Sequence, residues 1–429
     1  MSTWSRVLFI AIFLIIVFGL NFLVFWTFRH FVKAKFPNSK ILRAISVYPF
    51  IIFNLPYIYI AIFRFRAGQM PEWLHEIIFI PFYIFQGAVL FIGIYLLIGK
   101  IVKAPFSISY WILSKFKNIK VSLNKFFSKK SVRKIDTSRR AFLTTSAAFV
   151  SGYAFIGSTM GVIDSKDYEI INVDIKIDNL PIELKGTTIS LISDIHSGPY
   201  MKENDMKVYV DAINELKSDL IMIPGDLTNS DRNEVFPFVK AFKNLKAEKG
   251  IFASLGNHDY FSDPDFISQA ILNETPIKLL RNETEFININ GRNLCILGVE
   301  DTRQGGSSVD NVLMGYLDKT INHAQRNVLE KSIDYKTVPK IALFHKPYFL
   351  EDIKSYNIDL VLSGHTHGGQ VVLAKFGNFN LSFAGAVSKY ISGLYEAGKT
   401  KMYVSKGIGS VALPIRFNCK PEITKITLV

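Results

Sequence analysis

Residues 359–368 read Asp-Leu-Val-Leu-Ser-Gly-His-Thr-His-Gly, a short apolar run that ends in two histidines between glycines. A run of this length bounded by glycine predicts one buried β-strand. Four other stretches repeat the pattern of an apolar run followed directly by polar side chains, and these are 187–196, 219–226, 251–259 and 340–345. Repeated strands that end in such residues predict an α/β domain with a site at the ends of its strands.

The remaining pattern from residue 168 onward also predicts an α/β domain with a largely buried sheet, because short apolar runs alternate with amphipathic stretches. Strands are predicted at 187–193, 219–223, 251–254, 294–298, 340–344 and 359–363. Helices are predicted at 204–217, 233–247, 264–272, 320–332 and 347–356. The glycine- and serine-rich stretch 302–318 is predicted to be a flexible insertion. We therefore expect an α/β domain over residues 168–429.

Polar residues follow the predicted strands in five short motifs. They are Asp194, His196, Asp226, Asn257, His258, Asp259, His345, His365 and His367. Residues i and i+2 of an extended segment point the same way, so Asp194 with His196, and His365 with His367, each form a pair able to grip one ion. Since each motif follows an apolar run, we expect all of them to meet at the carboxyl edge of the sheet.

The type of ligand indicates a metal centre. Imidazole, carboxylate and amide groups without a thiolate suit Mn²⁺, Fe, Zn²⁺ or Co²⁺ rather than a structural zinc–cysteine site. Taken singly, each motif has an ordinary explanation: an exposed polar pair, a turn, or a hydrogen-bonded histidine in a core. Their common position directly after strands, in one order along the chain, favours the metal centre.

The order D-x-H, G-D, G-N-H-D, H, G-H-x-H resembles the signature of the calcineurin-like metallophosphoesterases. The ending Gly-His-Thr-His-Gly-Gly-Gln at 364–370 and the tail around Pro414-Ile-Arg416 are similar to the bacterial membrane-anchored branch of that family. The similarity covers roughly 168–429. It implies a four-layer α/β/β/α sandwich and two divalent metal ions that hydrolyse a phosphate ester or anhydride.

The resemblance also implies a role for each residue. The first metal is expected on Asp194, His196, Asp226 and His367. The second is expected on Asp226, Asn257, His345 and His365, with Asp226 bridging. His258 is expected to face the leaving group, and Asp259 is expected to orient it. Asn229 departs from the G-D-x-x-[D/S] pattern of the family, which puts a carboxylate role at that position in doubt.

The first 167 residues predict a membrane region. Four apolar stretches are long enough to cross a bilayer as helices, at about 7–28, 44–63, 77–99 and 141–163. The charge of the chain is concentrated there, because residues 1–140 carry 20 Lys and Arg against three acidic residues, and the remainder 30 against 33. Basic residues that flank apolar spans favour a membrane rather than nucleic acid as partner, and no RNA-binding signature is present.

Loop charge predicts the orientation of these spans. The segment 100–140 carries twelve Lys and Arg against one acid, and loop 29–43 is also basic, so both are expected in the cytoplasm. Four spans then place both termini, and the catalytic domain, in the periplasm or outside the cell. Residues 138–143 (Ser-Arg-Arg-Ala-Phe-Leu) resemble a twin-arginine export signal, although Arg139 and Arg140 could equally be a cytoplasmic charge anchor.

The sequence leaves the substrate open. A phosphodiester, phosphomonoester or pyrophosphate in a lipid or cell-envelope molecule is the first expectation, since the site is tethered to a bilayer. An enzyme that cleaves UDP-2,3-diacylglucosamine in lipid A synthesis is an alternative, but that reaction faces the cytoplasm. A membrane receptor or scaffold with an inactive site is the alternative from another class. Cys295 and Cys419 could pair if they were adjacent, or be two buried thiols.

Overall fold

The structure is a computed structural model, which describes residues 3–63, 71–302, 308–331, 333–376, 379–386 and 388–429. The described chain forms two compact units. One is a helical unit that ends at Met160, and the other begins at Gly161 and continues to Val429.

The helical unit accounts for the apolar N-terminal sequence. Its helices are α1 (Thr3–Lys35), α2 (Lys40–Ile45), α3 (Tyr48–Ile52), α4 (Leu55–Phe63), α5 (Glu72–Leu74), α6 (Ile80–Leu113), α7 (Lys117–Ser128) and α8 (Lys130–Asp164). Four segments are long and apolar enough to cross a membrane: Leu14–Lys35, Lys40–Ile60, His75–Leu113 and Thr144–Asp164. The second is broken into α2, α3 and α4, because Pro49 and Pro56 sit in the first turn of α3 and α4.

Three amide side chains connect the apolar helices of this unit. Asn21 on α1 donates to Gln86 on α6 over 3.1 Å, and Asn54 donates to Asn21 over 3.2 Å. Gln86 in turn donates to the carbonyl of Phe53 at 2.9 Å. Asn21 and Gln86 are buried. The three groups therefore satisfy one another inside an otherwise apolar bundle, where an unpaired amide would be costly.

The second unit contains two six-stranded sheets and a two-stranded ribbon. The strands are β1 (Glu169–Ile175), β2 (Thr188–Leu191), β3 (Leu220–Pro224), β4 (Gly250–Ser254), β5 (Lys278–Leu279), β6 (Glu283–Ile289), β7 (Arg292–Gly298), β8 (Lys340–Leu343), β9 (Leu360–Ser363), β10 (Ala374–Phe376), β11 (Phe379–Leu381), β12 (Gly393–Ala397), β13 (Thr400–Val404) and β14 (Glu422–Leu428). The first sheet has the order β1-β14-β2-β3-β4-β5, and the second β12-β13-β9-β8-β7-β6. Strands β10 and β11 form the ribbon.

Helices cover the outer face of each sheet. They are α9 (Glu203–Glu215), α10 (Val235–Phe242), α11 (Pro264–Glu274), α12 (Ser308–Lys331) and α13 (Leu350–Ile353). Buried side chains of α9, α10 and α11 pack on the first sheet, and those of α12 and α13 on the second. A third core lies between the sheets, where Leu191 and Met222 of the first pack with Leu343 and Leu362 of the second. This is the expected four-layer α/β/β/α sandwich.

The six strands predicted from apolar runs are all present, within a few residues of their expected ends. The prediction of a flexible insertion at 302–318 is wrong over much of its length. A helix was predicted only from residue 320, but α12 already begins at Ser308. Leu313 and Leu317 are buried in the core under the second sheet. Burial of these leucines stabilises the helix, which the preceding glycines and serines made difficult to predict. Residues 303–307 lie outside the described residues.

The two cysteines are free and buried. Cys295 lies on β7, and the Cys419 thiol is 3.3 Å from the carbonyl oxygen of His367. Burial raises the pKa of both thiols, so neither is a reactive thiolate at neutral pH. Of the two expectations, the buried thiols are confirmed.

Candidate metal centre

The residues expected to form the site lie at the carboxyl ends of strands from both sheets. Asp194 and His196 follow β2, Asp226 follows β3, and Asn257 follows β4 in the first sheet. His345 follows β8, and the pair His365 and His367 follows β9, in the second sheet. The expectation of one sheet edge is therefore corrected, because the site lies where the ends of two packed sheets meet.

The backbone at these residues is not extended. Five of the nine predicted site residues have positive φ, with values of 50° at Asp194, 50° at His196, 55° at Asp226, 72° at His365 and 50° at His367. Such angles are uncommon for residues with a side chain, and they cluster at functional sites. The argument from extended i, i+2 pairs is wrong in its geometry: β2 ends at Leu191 and β9 at Ser363, before either pair.

The first group of candidate ligands is formed by Asp194, His196 and His367, all of them buried. The Nε2 atoms of His196 and His367 lie 3.1 Å apart, and His367 Nε2 is 3.4 Å from a carboxylate oxygen of Asp194. The carboxylate of Asp194 is fixed by the hydroxyl of Ser193 at 2.6 Å and by the backbone N–H of His365 at 2.9 Å. One cation could bind all three side chains.

The second group is formed by Asp226, His345 and His365. Oxygen Oδ2 of Asp226 lies 3.1 Å from Nε2 of His345 and 3.5 Å from Nε2 of His196, which belongs to the first group. Asp226 therefore stands between the two groups, as a bridging ligand would. His365 and His367, expected to act as a pair, fall in different groups.

Buried polar atoms without a hydrogen-bond partner show that these residues fit a metal. Among the described residues they include Nδ1 of His196, Oδ1 of Asn257 and Nε2 of His345. Nδ1 of His345 lies 2.7 Å from the carbonyl of Pro224 and donates to it, so Nε2 is the nitrogen that faces the Asp226 carboxylate. A metal ion bound to both atoms would take the place of a proton on Nε2, so these residues must release that proton to bind metal.

Electrostatics of the site agree with this requirement. Burial, neighbouring histidines and Arg416 hold the pKa values of His196 and His367 well below the usual range, so both imidazoles are neutral and able to bind a metal. Burial also opposes charge on His345, but the carboxylates of Asp226 and Asp194 outweigh it and raise its pKa to about 10. Burial raises the pKa of Asp194 to about 6. Metal binding must therefore displace protons.

His258 is placed beside both groups but is more exposed than most of the ligands. Its ring lies 4.5 Å from that of His196, and its backbone N–H donates to Asp226 over 2.8 Å. Its Nδ1 lies 2.6 Å from the carbonyl oxygen of Asn229 and donates to it, so Nε2 is the free nitrogen. The expectation that Asp259 orients this ring directly is wrong, because the carbonyl of Asn229 does so.

Asp259 has a different structural task. Its buried carboxylate accepts hydrogen bonds from the backbone N–H groups of Leu227, Thr228 and Gly256, at 3.2, 2.8 and 2.9 Å. It thereby ties the loop after β3 to the loop after β4. Those two loops carry Asp226 and Asn257, so Asp259 fixes the position of these two residues relative to each other.

Three residues near the site were missed by the sequence reasoning. Glu234 is buried beside the loop that holds His258, and the sequence signal for it was the capping-box spacing from Asp231. Arg416 is fully buried, donates to the carbonyls of Gly409 and Lys406, and lies 3.5 Å from Nδ1 of His367. Lys346 follows His345 and pairs with buried Asp301. Only the Pro-Ile-Arg tail had been noted, without a role.

Comparison with known proteins agrees with this arrangement. Residues 187–369 match the calcineurin-like phosphoesterase family. An uncharacterized metallophosphoesterase of Bacillus subtilis is 29% identical over 68% of this chain and 97% of its own length. One of Helicobacter pylori is 31% identical over 65% of this chain and 68% of its own.

A relative with membrane helices is also similar. The transmembrane protein with metallophosphoesterase domain of Danio rerio is 29% identical over 61% of this chain and 57% of its own length. Residues 187–369, which match the family model, contain all of the ligand motifs from Asp194 to His367. The chain belongs to the calcineurin-like metallophosphoesterase family.

Proposed function

We propose that this chain is a membrane-bound phosphoesterase that uses two divalent metal ions to hydrolyse a phosphodiester, phosphomonoester or pyrophosphate bond. The observation that supports it is the pair of largely buried His/Asp groups that Asp226 links, together with the buried Oδ1 of Asn257, which has no hydrogen-bond partner. The donor set of imidazole, carboxylate and amide suits Mn²⁺, Fe, Zn²⁺ or Co²⁺.

The chain's residues divide the work of hydrolysis. Metal ions held by the two groups would neutralise charge on the phosphoryl oxygens and lower the pKa of water. Asp226 contacts histidines of both groups, and Asp194, His196, His345 and His367 are buried, which limits the access of bulk water to them. His258, with Nδ1–H committed to Asn229, presents Nε2 to the leaving oxygen and donates a proton to it when doubly protonated.

Metal analysis of two variants tests these assignments. Asp226→Ala is expected to lose metal from both groups, since it removes the shared carboxylate. His258→Ala is expected to keep the metal content of the wild type and to lose about 10²–10⁴-fold in kcat, the usual contribution of a proton donor. Equal metal content in the wild type and in Asp226→Ala would overturn the ligand assignment.

Turnover decides between an enzyme and the alternative of an inactive receptor or scaffold. The purified full chain, supplied with Mn²⁺, is assayed with bis-p-nitrophenyl phosphate and with p-nitrophenyl phosphate. Hydrolysis that is lost in Asp226→Ala supports the enzyme, and the ratio of the two rates gives the preference for diester or monoester. Failure to hydrolyse either compound would favour the receptor.

The substrate and its location form the finer part of the proposal. A lipid-linked or cell-envelope phosphate outside the cytoplasm fits apolar N-terminal helices and the basic segment 100–140. Residues 138–143 lie within α8, but their side chains are outside the described residues, so the twin-arginine signal stays a prediction. Protease treatment of intact spheroplasts should cleave within residues 168–429. Full protection would instead favour a cytoplasmic site, as UDP-2,3-diacylglucosamine cleavage requires.

A further inference from the structure

The loop after the shared ligand Asp226 is held by two buried carboxylates. Its five consecutive backbone N–H groups, from Leu227 to Asp231, donate to side chains that lie outside the loop. The first two bind Asp259. The next three, at residues 229, 230 and 231, bind one oxygen of Glu234 at 2.9, 2.6 and 2.9 Å. A loop without regular structure is thus made rigid by satisfying each of these donors.

Glu234 reaches His258 through a single peptide group. The carbonyl of Asn229 accepts the Nδ1–H of His258 at 2.6 Å. The N–H of that same peptide unit belongs to Ser230, and it donates to Glu234 over 2.6 Å. The carboxylate, the peptide and the imidazole therefore form one continuous hydrogen-bonded chain, in which each bond orients the next.

Helix capping alone does not account for this arrangement. A capping box requires Glu234 to accept only the N–H of Asp231, the residue before the short helical turn at 232–234. The N–H groups of residues 229 and 230 lie beyond that motif. Glu234 is also 2% exposed, and the hydroxyl of Ser197, next to His196, donates to its backbone carbonyl over 2.7 Å. The carboxylate thus lies between the loops that carry His196 and Asp226.

The approach of these loops depends on a glycine. A Cβ atom at Gly198 would lie 2.9 Å from Oε1 of Glu234 and 3.1 Å from Cβ of Asn229. The absence of a side chain there lets the carboxylate and the Asn229 loop pack against the loop after β2.

We propose that Glu234 is a positioning residue for His258: it fixes the Asn229 peptide, and thereby holds the imidazole with Nδ1 protonated and Nε2 directed toward the leaving group. This inference rests on the proposed function, in which His258 is the proton donor. The side chain of Asn229 has no carboxylate with which to orient His258. The proposal therefore gives the orienting role to Glu234, which acts through the backbone carbonyl of Asn229. In enzymes, a hydrogen bond to one ring nitrogen of a histidine orients the imidazole so that the other nitrogen faces the reacting group.

Leaving-group dependence separates positioning from a general structural role. A proton donor matters little when the leaving group is stable as an anion, and much when it is not. The full chain, loaded with Mn²⁺, is therefore assayed on matched phosphate diesters of p-nitrophenol and of unsubstituted phenol. Wild type, Glu234→Ala, Glu234→Gln, His258→Ala and the double variant Glu234→Ala/His258→Ala are compared for kcat, KM and metal content.

Glu234→Ala is expected to lower kcat on the phenyl ester by roughly 10–100-fold, and on the p-nitrophenyl ester by about threefold or less, because only the first needs the donor. KM and metal content should match the wild type. The double variant should lose no more than His258→Ala alone, since the two residues act as one unit. Glu234→Gln keeps an acceptor for the three N–H groups and should retain most of the activity.

Asp219 provides a matched control. Its carboxylate also accepts bonds from a backbone N–H and a hydroxyl, both of Thr188 at 2.7 Å, at the other end of β2 and β3. Asp219→Ala should leave the ratio of the two rates unchanged. Should Glu234→Ala fail to fold, Gly198→Ala carries the comparison, because its added Cβ would displace Oε1 of Glu234, and a smaller loss confined to the phenyl ester is expected.

Equal losses on both esters, or a double variant that is lower than His258→Ala by the full factor of Glu234→Ala, would overturn the inference. An unchanged phenyl-ester rate in Glu234→Ala would do the same. Failure of the proposed function gives a different result: a wild type inactive on both esters, or a His258→Ala variant without selective loss on the phenyl ester.

Discussion

The residues of the metal centre could be named from the sequence, but their conformation could not. Asp194, His196 and Asp226 stand after apolar runs, and they were identified by that position together with their side-chain types and the resemblance to the family. The left-handed backbone that turns these side chains toward one another has no local signal in residues with a Cβ atom. It is imposed by surrounding contacts, such as the bonds that Asp194 receives from Ser193 and His365.

The close packing of Asp194 against Gly364 leads to a prediction about this one candidate ligand. A Cβ atom at Gly364 would lie 2.2 Å from Oδ2 of Asp194 and 2.6 Å from Oγ of Ser193. Gly364→Ala is therefore expected to displace the Asp194 carboxylate and to lose about one metal equivalent, with the second group retained. Metal analysis measures this. Gly315→Ala, whose added Cβ meets no atom within 4 Å, is the control and should bind as the wild type does.

Competition between protons and a metal ion for the same side chains leads to a second prediction at the residue scale. Burial raises the pKa of Asp194 to about 6, and the carboxylates around His345 raise its pKa to about 10 despite burial. Both groups must lose a proton to bind metal, so affinity rises with pH and falls as pH drops below 6. Between pH 7.5 and 5 we expect at least about a tenfold loss, one pH unit below the pKa of Asp194 being a factor of ten. Equilibrium dialysis with Mn²⁺ measures it; an affinity independent of pH would contradict these shifts.

At the scale of elements, apolar patterning was sufficient for the buried strands and insufficient for what surrounds them. Strands β2, β3, β4, β7, β8 and β9 carry runs of buried apolar residues and were recognised. Edge strand β1 alternates half-buried and exposed residues up to Asp174, and β14 pairs with residues more than 200 positions away, so neither gave a local signal. The first part of α12 was concealed because glycines precede it, although its buried leucines hold it to the second sheet.

The amide cluster of the helical unit makes a prediction about helix association. Gln86→Leu removes one acceptor of the buried Asn21 amide and the donor to the carbonyl of Phe53, which is partly buried. We expect the helical unit to lose about 0.6–2 kcal/mol of stability, the range measured for hydrogen bonds between membrane helices. Thermal unfolding in detergent measures the loss. Ser107→Ala, at an exposed position of the same helix α6, should have no effect.

At the scale of the whole molecule, the second unit is closed by its last strand. Strand β14 lies inside the first sheet, parallel to β1 and antiparallel to β2. Ile423, Ile426 and Leu428 are fully buried. The first and last strands of this unit thus pair in one sheet, whereas the candidate metal ligands follow strands that lie between them in the sequence. The sequence located the candidate ligands but did not predict that β14 closes the sheet, because pairing over such distances depends on the whole fold.

This closure predicts that one buried position near the C-terminus controls folding of the unit. Ile426→Asp places a charge in the core between the sheets and is expected to cost about 4 kcal/mol or more. Thr427→Asp changes the neighbouring, half-exposed residue of the same strand and should cost much less. Chemical denaturation of the two full-length variants measures the difference. Similar stabilities would show that β14 is dispensable.

The interior position of β14 also has a consequence for biosynthesis. Residues 422–428 follow every other strand of this sheet in the sequence, so during translation the slot between β1 and β2 stays open until they leave the ribosome. The candidate metal ligands would emerge well before the sheet that supports them can close. The first sheet can therefore be completed only after all of its other strands have been synthesised.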